Sequence, residues 1–227
     1  MQLIARMLPA RRRAHRGFTL IELAVVLTVI TIILVAVLKS TSVVDSAKGN
    51  DVIAMAGDLS ESARRYREKY QYLPGDDPGA VANLTPPVLG AGDGNGLIDF
   101  NAANVMEPNL VPNHLFQAGM IRVTPDPVNG VILKSHYGQV WLMSLGLAAA
   151  AGGPGGNPCG TAVTYNNVNP NPPARNVIVF ANLPSSIAAQ IDQKYDDGVF
   201  NSGAIRASAA YNAAANAPPI ACFAMPL

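Results

Sequence analysis

Charge is scarce in this sequence, and so are aromatics, cysteine and histidine. Asp, Glu, Lys and Arg make up 14% of its 227 residues, against roughly 25% in an ordinary domain. Apolar residues make up 49%, and disorder needs the opposite balance. Aromatics stand at 6%, so any core is built from Ala, Val, Leu and Ile. The three histidines, His15, His114 and His136, are far apart in sequence. No Gly-x-Ser-x-Gly, Ser-x-x-Lys, His-Glu-x-x-His or phosphate-loop pattern occurs. No catalytic site is legible, and the chain reads as a non-enzyme. Gly (20) and Pro (18) are plentiful, mostly beyond residue 72, which excludes a helical bundle for the back two-thirds.

The net charge of +1 conceals an asymmetry. Residues 1–17 hold five arginines (Arg6, Arg11, Arg12, Arg13, Arg16) and no acid. Taking those five from the sixteen basic residues leaves eleven against fifteen acids, a balance of −4. A mildly acidic body speaks against indiscriminate nucleic-acid binding.

Phe18 to Leu38 reads FTLIELAVVLTVITIILVAVL, 21 residues with a single charge. As a helix it is about 30 Å long, the thickness of a bilayer's hydrocarbon core. The arginines before it outweigh Lys39 after it, so the positive-inside rule places the N-terminus in the cytoplasm and residues 40–227 outside. A secretory signal peptide has an apolar core of about 7–15 residues and a small-residue cleavage site. Val37-Leu38-Lys39 offers none, and the span is expected to be retained. Glu22 is its anomaly. A charge within an apolar span costs a few kcal/mol and is a functional hypothesis by default. Arg16, six residues upstream, offers one partner at the headgroups; the plainer alternative is that Glu22 snorkels to the interface.

The run Arg16-Gly17-Phe18-Thr19-Leu20-Ile21-Glu22-Leu23, between a basic leader and a long apolar stretch, resembles the type IV prepilin family, which includes the pseudopilins of type II secretion. The resemblance covers about 25 residues. It implies that a prepilin peptidase removes residues 1–17 as a leader by cutting between Gly17 and Phe18, and methylates Phe18. It also implies that Glu22 pairs with the terminal amine of a neighbouring subunit during assembly. Cleavage would make that cation at the membrane edge, where a low dielectric strengthens its pull on a carboxylate. Many pilins carry a proline near the end of the span. Here there is none, and Lys39 stands about where it would fall, so the helix is expected to continue.

Residues 43–70 are expected to extend the helix. Val52, Met55, Leu59, Ala63, Tyr66 and Tyr70 recur at intervals of 3, 4, 4, 3 and 4, one face of a helix. Arg64, Arg65, Arg67 and Lys69 permit a nucleic-acid reading, but a solvated last turn that suits the helix dipole is favoured. The helix should stop at Tyr72-Leu73-Pro74-Gly75. Turn-rich sequence is expected over 74–113, with Asn113 capping a short helix through Leu115, Phe116 and Ala118. Strands are expected at 130–134, 138–147, 176–181, 204–209 and 220–223, with a helix capped by Ser185 through Ile187, Ile191 and Tyr195. Gly152–Pro173 reads as an exposed loop. The expected fold class is α+β and pilin-like: a helix over 18–72, transmembrane over 18–38, packed on an antiparallel sheet in a head of residues 73–227. The sheet's second face is expected to be free to meet water.

Cys159 and Cys222 are the only cysteines. Outside the cytoplasm an even pair suggests a disulfide, closing a loop that contributes roughly 4 kcal/mol in the chain-entropy model; two buried thiols are the alternative. Ala91 to Asp99 looks like the middle of an EF-hand-type calcium loop, with Asp93, Asn95 and Asp99 at its third, fifth and ninth places and Leu97 offering a carbonyl. Ala91 and Ala102 stand where the first and twelfth ligands belong, so the site needs Asp76, Asp77 or Glu107 to complete it. A metal-free Asp-Gly turn is the alternative. Asp192, Asp196 and Asp197, before Gly198, form a second acidic group and another candidate for a cation, with turn and helix-end residues as the favoured reading.

The expected function is that of a structural subunit, minor on account of its large head, in a type IV pilus or a type II secretion pseudopilus. Its expected partners are prepilin peptidase, other pilin-like subunits and the inner membrane, with no nucleic acid. A calcium ion is the one cofactor considered. The rival is a membrane-anchored periplasmic binding or catalytic protein that keeps its N-terminus.

Overall fold

The computed structural model describes residues 18–99, 107–123, 132–145, 175–212, 214 and 217–227. The expected leader, strand residues 130, 131, 146 and 147, the loop Gly152–Pro173, and Cys159 lie outside them. The chain divides into two units, Met1–Val44 and Asp45–Leu227.

In the first unit, helix α1 (Leu20–Tyr70) begins. Its window Leu20–Val37 has a mean hydropathy of 2.9 and no part of it is buried. Ile21, Val25, Val29 and Ile32 are all exposed, so this segment has no protein core of its own to enter. Its length and apolar surface suit a bilayer.

In the second unit α1 behaves as an amphipathic helix. Val52, Leu59, Ala63 and Tyr66 of the expected stripe are buried, and Met55 and Tyr70 pack at its edge. They share one core with Leu142, Ile178, Phe180, Leu183 and Phe223 of the sheet. The sheet has four antiparallel strands in the order β1-β2-β4-β3: β1 Val140–Leu145, β2 Arg175–Leu183, β3 Arg206–Ala207, β4 Ile220–Pro226. Val140 and Phe223 flank Phe180 on either side. The molecule is α+β, an apolar N-terminal helix followed by an antiparallel sheet with helices.

The structure corrects several expectations. The short helix near 113 is α3, Glu107–Gln117, and Asn113 lies inside it. Asn113 accepts from Leu89 N–H (3.2 Å) and donates to the Pro87 carbonyl (3.2 Å), tying a loop to the helix. Pro108 fits because the first turn's N–H groups lack helical partners anyway. A four-residue helix, α2 (Ala80–Asn83), also interrupts the expected turns. Ser185 opens helix α4 (Ser185–Tyr195) but does not cap it; Pro184 holds the cap position, and Ser185 Oγ accepts from Asn212 N–H at 2.7 Å. Of 204–209 only Arg206–Ala207 pairs, and Lys134 forms an isolated bridge to Gln139. The sheet's second face is also buried: Met143, Val177, Val179, Cys222 and Ala224 form a separate cluster with Trp141 at its edge. Accordingly β2 is buried without interruption from Val177 to Ala181, the pattern of a strand covered on both faces.

Candidate functional site

At the start of α1, Thr19 and Glu22 hold each other. Thr19 N–H and Thr19 Oγ1 both donate to Glu22 Oε2 at 2.9 Å, and Glu22 N–H donates to Thr19 Oγ1 at 3.3 Å. This is a capping box, which satisfies donors that a helix start otherwise leaves open and puts a negative group at the positive end of the dipole. The Thr-x-x-Glu spacing was there to be read in the sequence. Glu22 therefore has a partner within its own chain, a neutral threonine and not a cation. Phe18 is 87% exposed, and Gly17 lies outside the described residues.

The acidic loop gathers side chains from three separate segments. Asp76 follows the end of α1, Asp93 sits in the loop, and Glu107 opens α3; each offers an oxygen, all within 4.8 Å of one another. Glu107 is fully buried. Its Oε1 accepts from Asp93 N–H (2.9 Å) and its Oε2 from Asp99 N–H (3.0 Å), so it clamps the loop at two points. Burial pushes the Glu107 carboxyl up to about 7, with the charges of Asp93 and Asp76 adding to the effect. Asp76 is 1% exposed. Its Oδ2 accepts from Gly96 N–H at 2.9 Å, whereas its Oδ1 is buried without a hydrogen-bond donor, as is Asp99 Oδ1. Burial raises the Asp76 carboxyl too, and Asp93 reinforces this. A cavity of about 220 Å³, lined among others by Asp76, Gly94, Gly96, Asn176 and Arg67, gives access from solvent.

The loop is fixed to the sheet by a residue the sequence did not single out. Asn176 on β2 accepts from Ile98 N–H and donates to the Gly96 carbonyl, both at 2.9 Å. Ser144 N–H on β1 donates to the Ile98 carbonyl at 2.6 Å. Gly92 passes so close that a Cβ there would lie 2.3 Å from the Asp76 backbone. Of the sequence-derived set, Asp93 joins the cluster. Asn95 closes a turn by accepting from Leu97 N–H (2.7 Å) and donating to Asp93 (3.0 Å). Asp77 goes elsewhere, accepting from Tyr66 Oη and Gly79 N–H at 2.8 Å each.

The residues fit a hard divalent cation. Two oxygens that share one calcium ion at its usual distance of about 2.4 Å are at most about 4.8 Å apart, the limit this cluster meets. Asp76 Oδ1, the cluster's buried carboxylate oxygen without a donor, supplies the demand for it.

The other candidates are structural. His114 is buried, its Nδ1 accepting from Gly75 N–H and its Nε2 facing the Gly90 carbonyl, each at 3.0 Å. His136 is exposed on Tyr137. Arg64 pairs with Glu61 (2.7 Å) and Glu68, and Arg65 with Glu61 (2.7 Å). Lys69 Nζ lies 4.9 Å from the centre of the Tyr70 ring. The basic turn is thus largely answered within α1.

The prokaryotic N-terminal methylation motif matches residues 12–38. The match contains Gly17, Phe18 and Glu22, so this stretch carries the prepilin-type signature. No curated protein and no solved structure matches the chain. The motif, the exposed apolar helix and the α+β head are consistent with a pilin-like fold, fit membrane anchoring, and point to a structural subunit in preference to an enzyme.

Proposed function

We propose that the protein is a minor subunit of a type IV pilus or type II secretion pseudopilus. A prepilin peptidase cuts between Gly17 and Phe18 and methylates Phe18. The chain waits in the inner membrane through residues 18–38, N-terminus inward and head in the periplasm, and is then drawn into a filament whose core is a bundle of such helices. The observation that carries this reading is the methylation-motif match at residues 12–38, set on a helix whose apolar sides have no cover of their own. Glu22 serves twice: it caps its own helix, and it receives the terminal amine of the next subunit.

Two features equip the head. A Cys159–Cys222 disulfide ties the segment around Cys159 to β4; Cys222 sits fully buried on the sheet's second face, and the sequence has one other cysteine to join it. Calcium binds the acidic loop, held by Asp76, Asp93, Asp99 and Glu107, with Asn95 shaping the turn and Leu97 offering its carbonyl.

Mass spectrometry of the membrane form tests the processing. A methylated Phe18 start is expected; an intact Met1, or a cut after residue 38, favours the anchored periplasmic rival. Glu22→Gln separates the two roles of the carboxylate, because an amide oxygen still accepts from Thr19 but carries no charge. This variant is expected to be processed and membrane-bound yet absent from filaments. Normal incorporation would reduce Glu22 to a helix cap.

A further inference from the structure

We propose that the end of α4 and the loop after it form a second calcium site, with Asp192, Asp196 and Asp197 as its carboxylate ligands. The three residues each offer an oxygen within 4.8 Å of the others, the span that one calcium ion bridges. Most acidic groups of this kind are surface turns, but this one has a buried member. Asp192 is fully buried; its Oδ2 accepts from Tyr211 Oη at 2.6 Å, while its Oδ1 makes no well-formed hydrogen bond, with the Gly198 backbone N–H the nearby group that favours its charge. A buried carboxylate oxygen without a well-formed bond is costly, and a cation beside it removes that cost.

The position sharpens the argument. α4 ends here, with Asp196 N–H closing its last turn on the Asp192 carbonyl at 2.7 Å. The C-terminus of a helix is the negative end of its dipole, where carboxylates are disfavoured. Three of them converge on it. Asp196 is fixed by the loop's return, its Oδ2 accepting from Ala204 N–H (2.6 Å) and Ile205 N–H (2.8 Å). The return passes so tightly that a Cβ on Gly203 would lie 2.0 Å from that oxygen. Asp197 accepts from Val199 N–H (2.8 Å) and from Ser202 Oγ.

The cations already nearby do not complete the balance. Arg206 donates to the carbonyls of Gly203 (3.1 Å) and Asn201, and its charge favours ionised Asp197. Lys194 Nζ lies 5.1 Å from the centre of its neighbour Tyr195's ring. Among the described residues, one guanidinium faces three carboxyl groups and a helix C-terminus, a setting that favours a cation. An all-oxygen ligand set with spare backbone carbonyls in a loop suits calcium better than magnesium, which demands strict octahedral geometry. The site is independent of the filament reading and of the first acidic loop.

The test uses the full chain in detergent micelles, carrying Asp93→Asn to weaken the first loop. Terbium(III) serves as probe, because the Tyr211 ring beside Asp192 can sensitise its emission. Sensitised emission is expected, displaced by calcium with a Kd of about 10⁻⁴–10⁻³ M. Asp197→Asn, at an exposed position, is expected to weaken calcium about tenfold or more. Asp192→Asn is expected to abolish the site, and should it fail to fold, the Asp197 variant carries the test. The proposal is overturned if Asp197→Asn displaces like its parent, if magnesium competes as well as calcium, or if calcium at about 10 mM, beyond the weakest natural modules, displaces nothing.

Discussion

His114 shows what one side chain contributes through its protonation state. Because its Nδ1 accepts from Gly75 N–H, the proton of the neutral ring must sit on Nε2 and point to the Gly90 carbonyl. A second proton would break the first bond. Burial accordingly pushes the His114 pKa below its ordinary value of 6.5. The unfolded chain then takes up a proton on acidification before the folded one does. Its contribution to stability is complete above pH about 6.5 and is lost as pH falls below that value. Wild type is expected to lose more melting temperature between pH 7.5 and 5 than His114→Gln does, measured by circular dichroism. An equal loss in both would show that His114 is not the group that titrates. The side chains legible in the sequence were those with short-range signatures, such as Asp93 and Asn95 in one turn. Glu107 was legible only as one of three acids able to complete the loop, and Asn176 not at all, because its partners lie 78 and 80 residues away.

At the scale of elements, α1 carries two different surfaces. In the head, Leu59 is 4% exposed among core residues, whereas Val25 is 55% exposed. Leu59→Ala is expected to cost the head about 2–5 kcal/mol, and Val25→Ala is expected to leave head stability unchanged, both read by denaturant unfolding in detergent. This partition was legible, since the 3-4-4-3-4 spacing of 52–70 contrasts with the unbroken apolar run before it. The start of α3 was not. Pro108 and Pro112 look like breakers, yet the helix runs through both, with its buried residues Val111, His114 and Leu115 packed in place. The second sheet face was misjudged for a related reason. An alternating strand advertises one wet side, and Asn176-Val177-Ile178-Val179-Phe180-Ala181 does not alternate, which is the sequence signal of double burial.

For the molecule as a whole, the proposed calcium ion and the proposed disulfide would both join segments distant in sequence, and each has a clear signature. Without a cation, the raised Glu107 carboxyl binds a proton in the fold that the unfolded chain has released. That contribution is complete below pH about 4.5 and fades as pH rises through about 7. Calcium must displace this proton, so its melting-temperature gain is expected to be larger at pH 7.5 than at pH 5.5. At a hundredfold excess over Kd the gain corresponds to about 2.7 kcal/mol for one site. A chelator is expected to abolish it; an equal gain at both pH values would count against Glu107 as a ligand. Titration of thiols in the denatured chain is expected to find none before reduction and both cysteines after it. Reduction is expected to lower stability by about 2–4 kcal/mol.

The lock between Thr19 and Glu22 has a stereochemical corollary. Both of threonine's donors land on Oε2, which leaves Oε1 as the oxygen that the proposed pairing with a neighbour's amine would use. The acceptor is thus one-sided before any neighbour arrives. In the proposed filament, a neighbour's terminal amine would meet a single preferred direction there, and the angular step from one protomer to the next would inherit it.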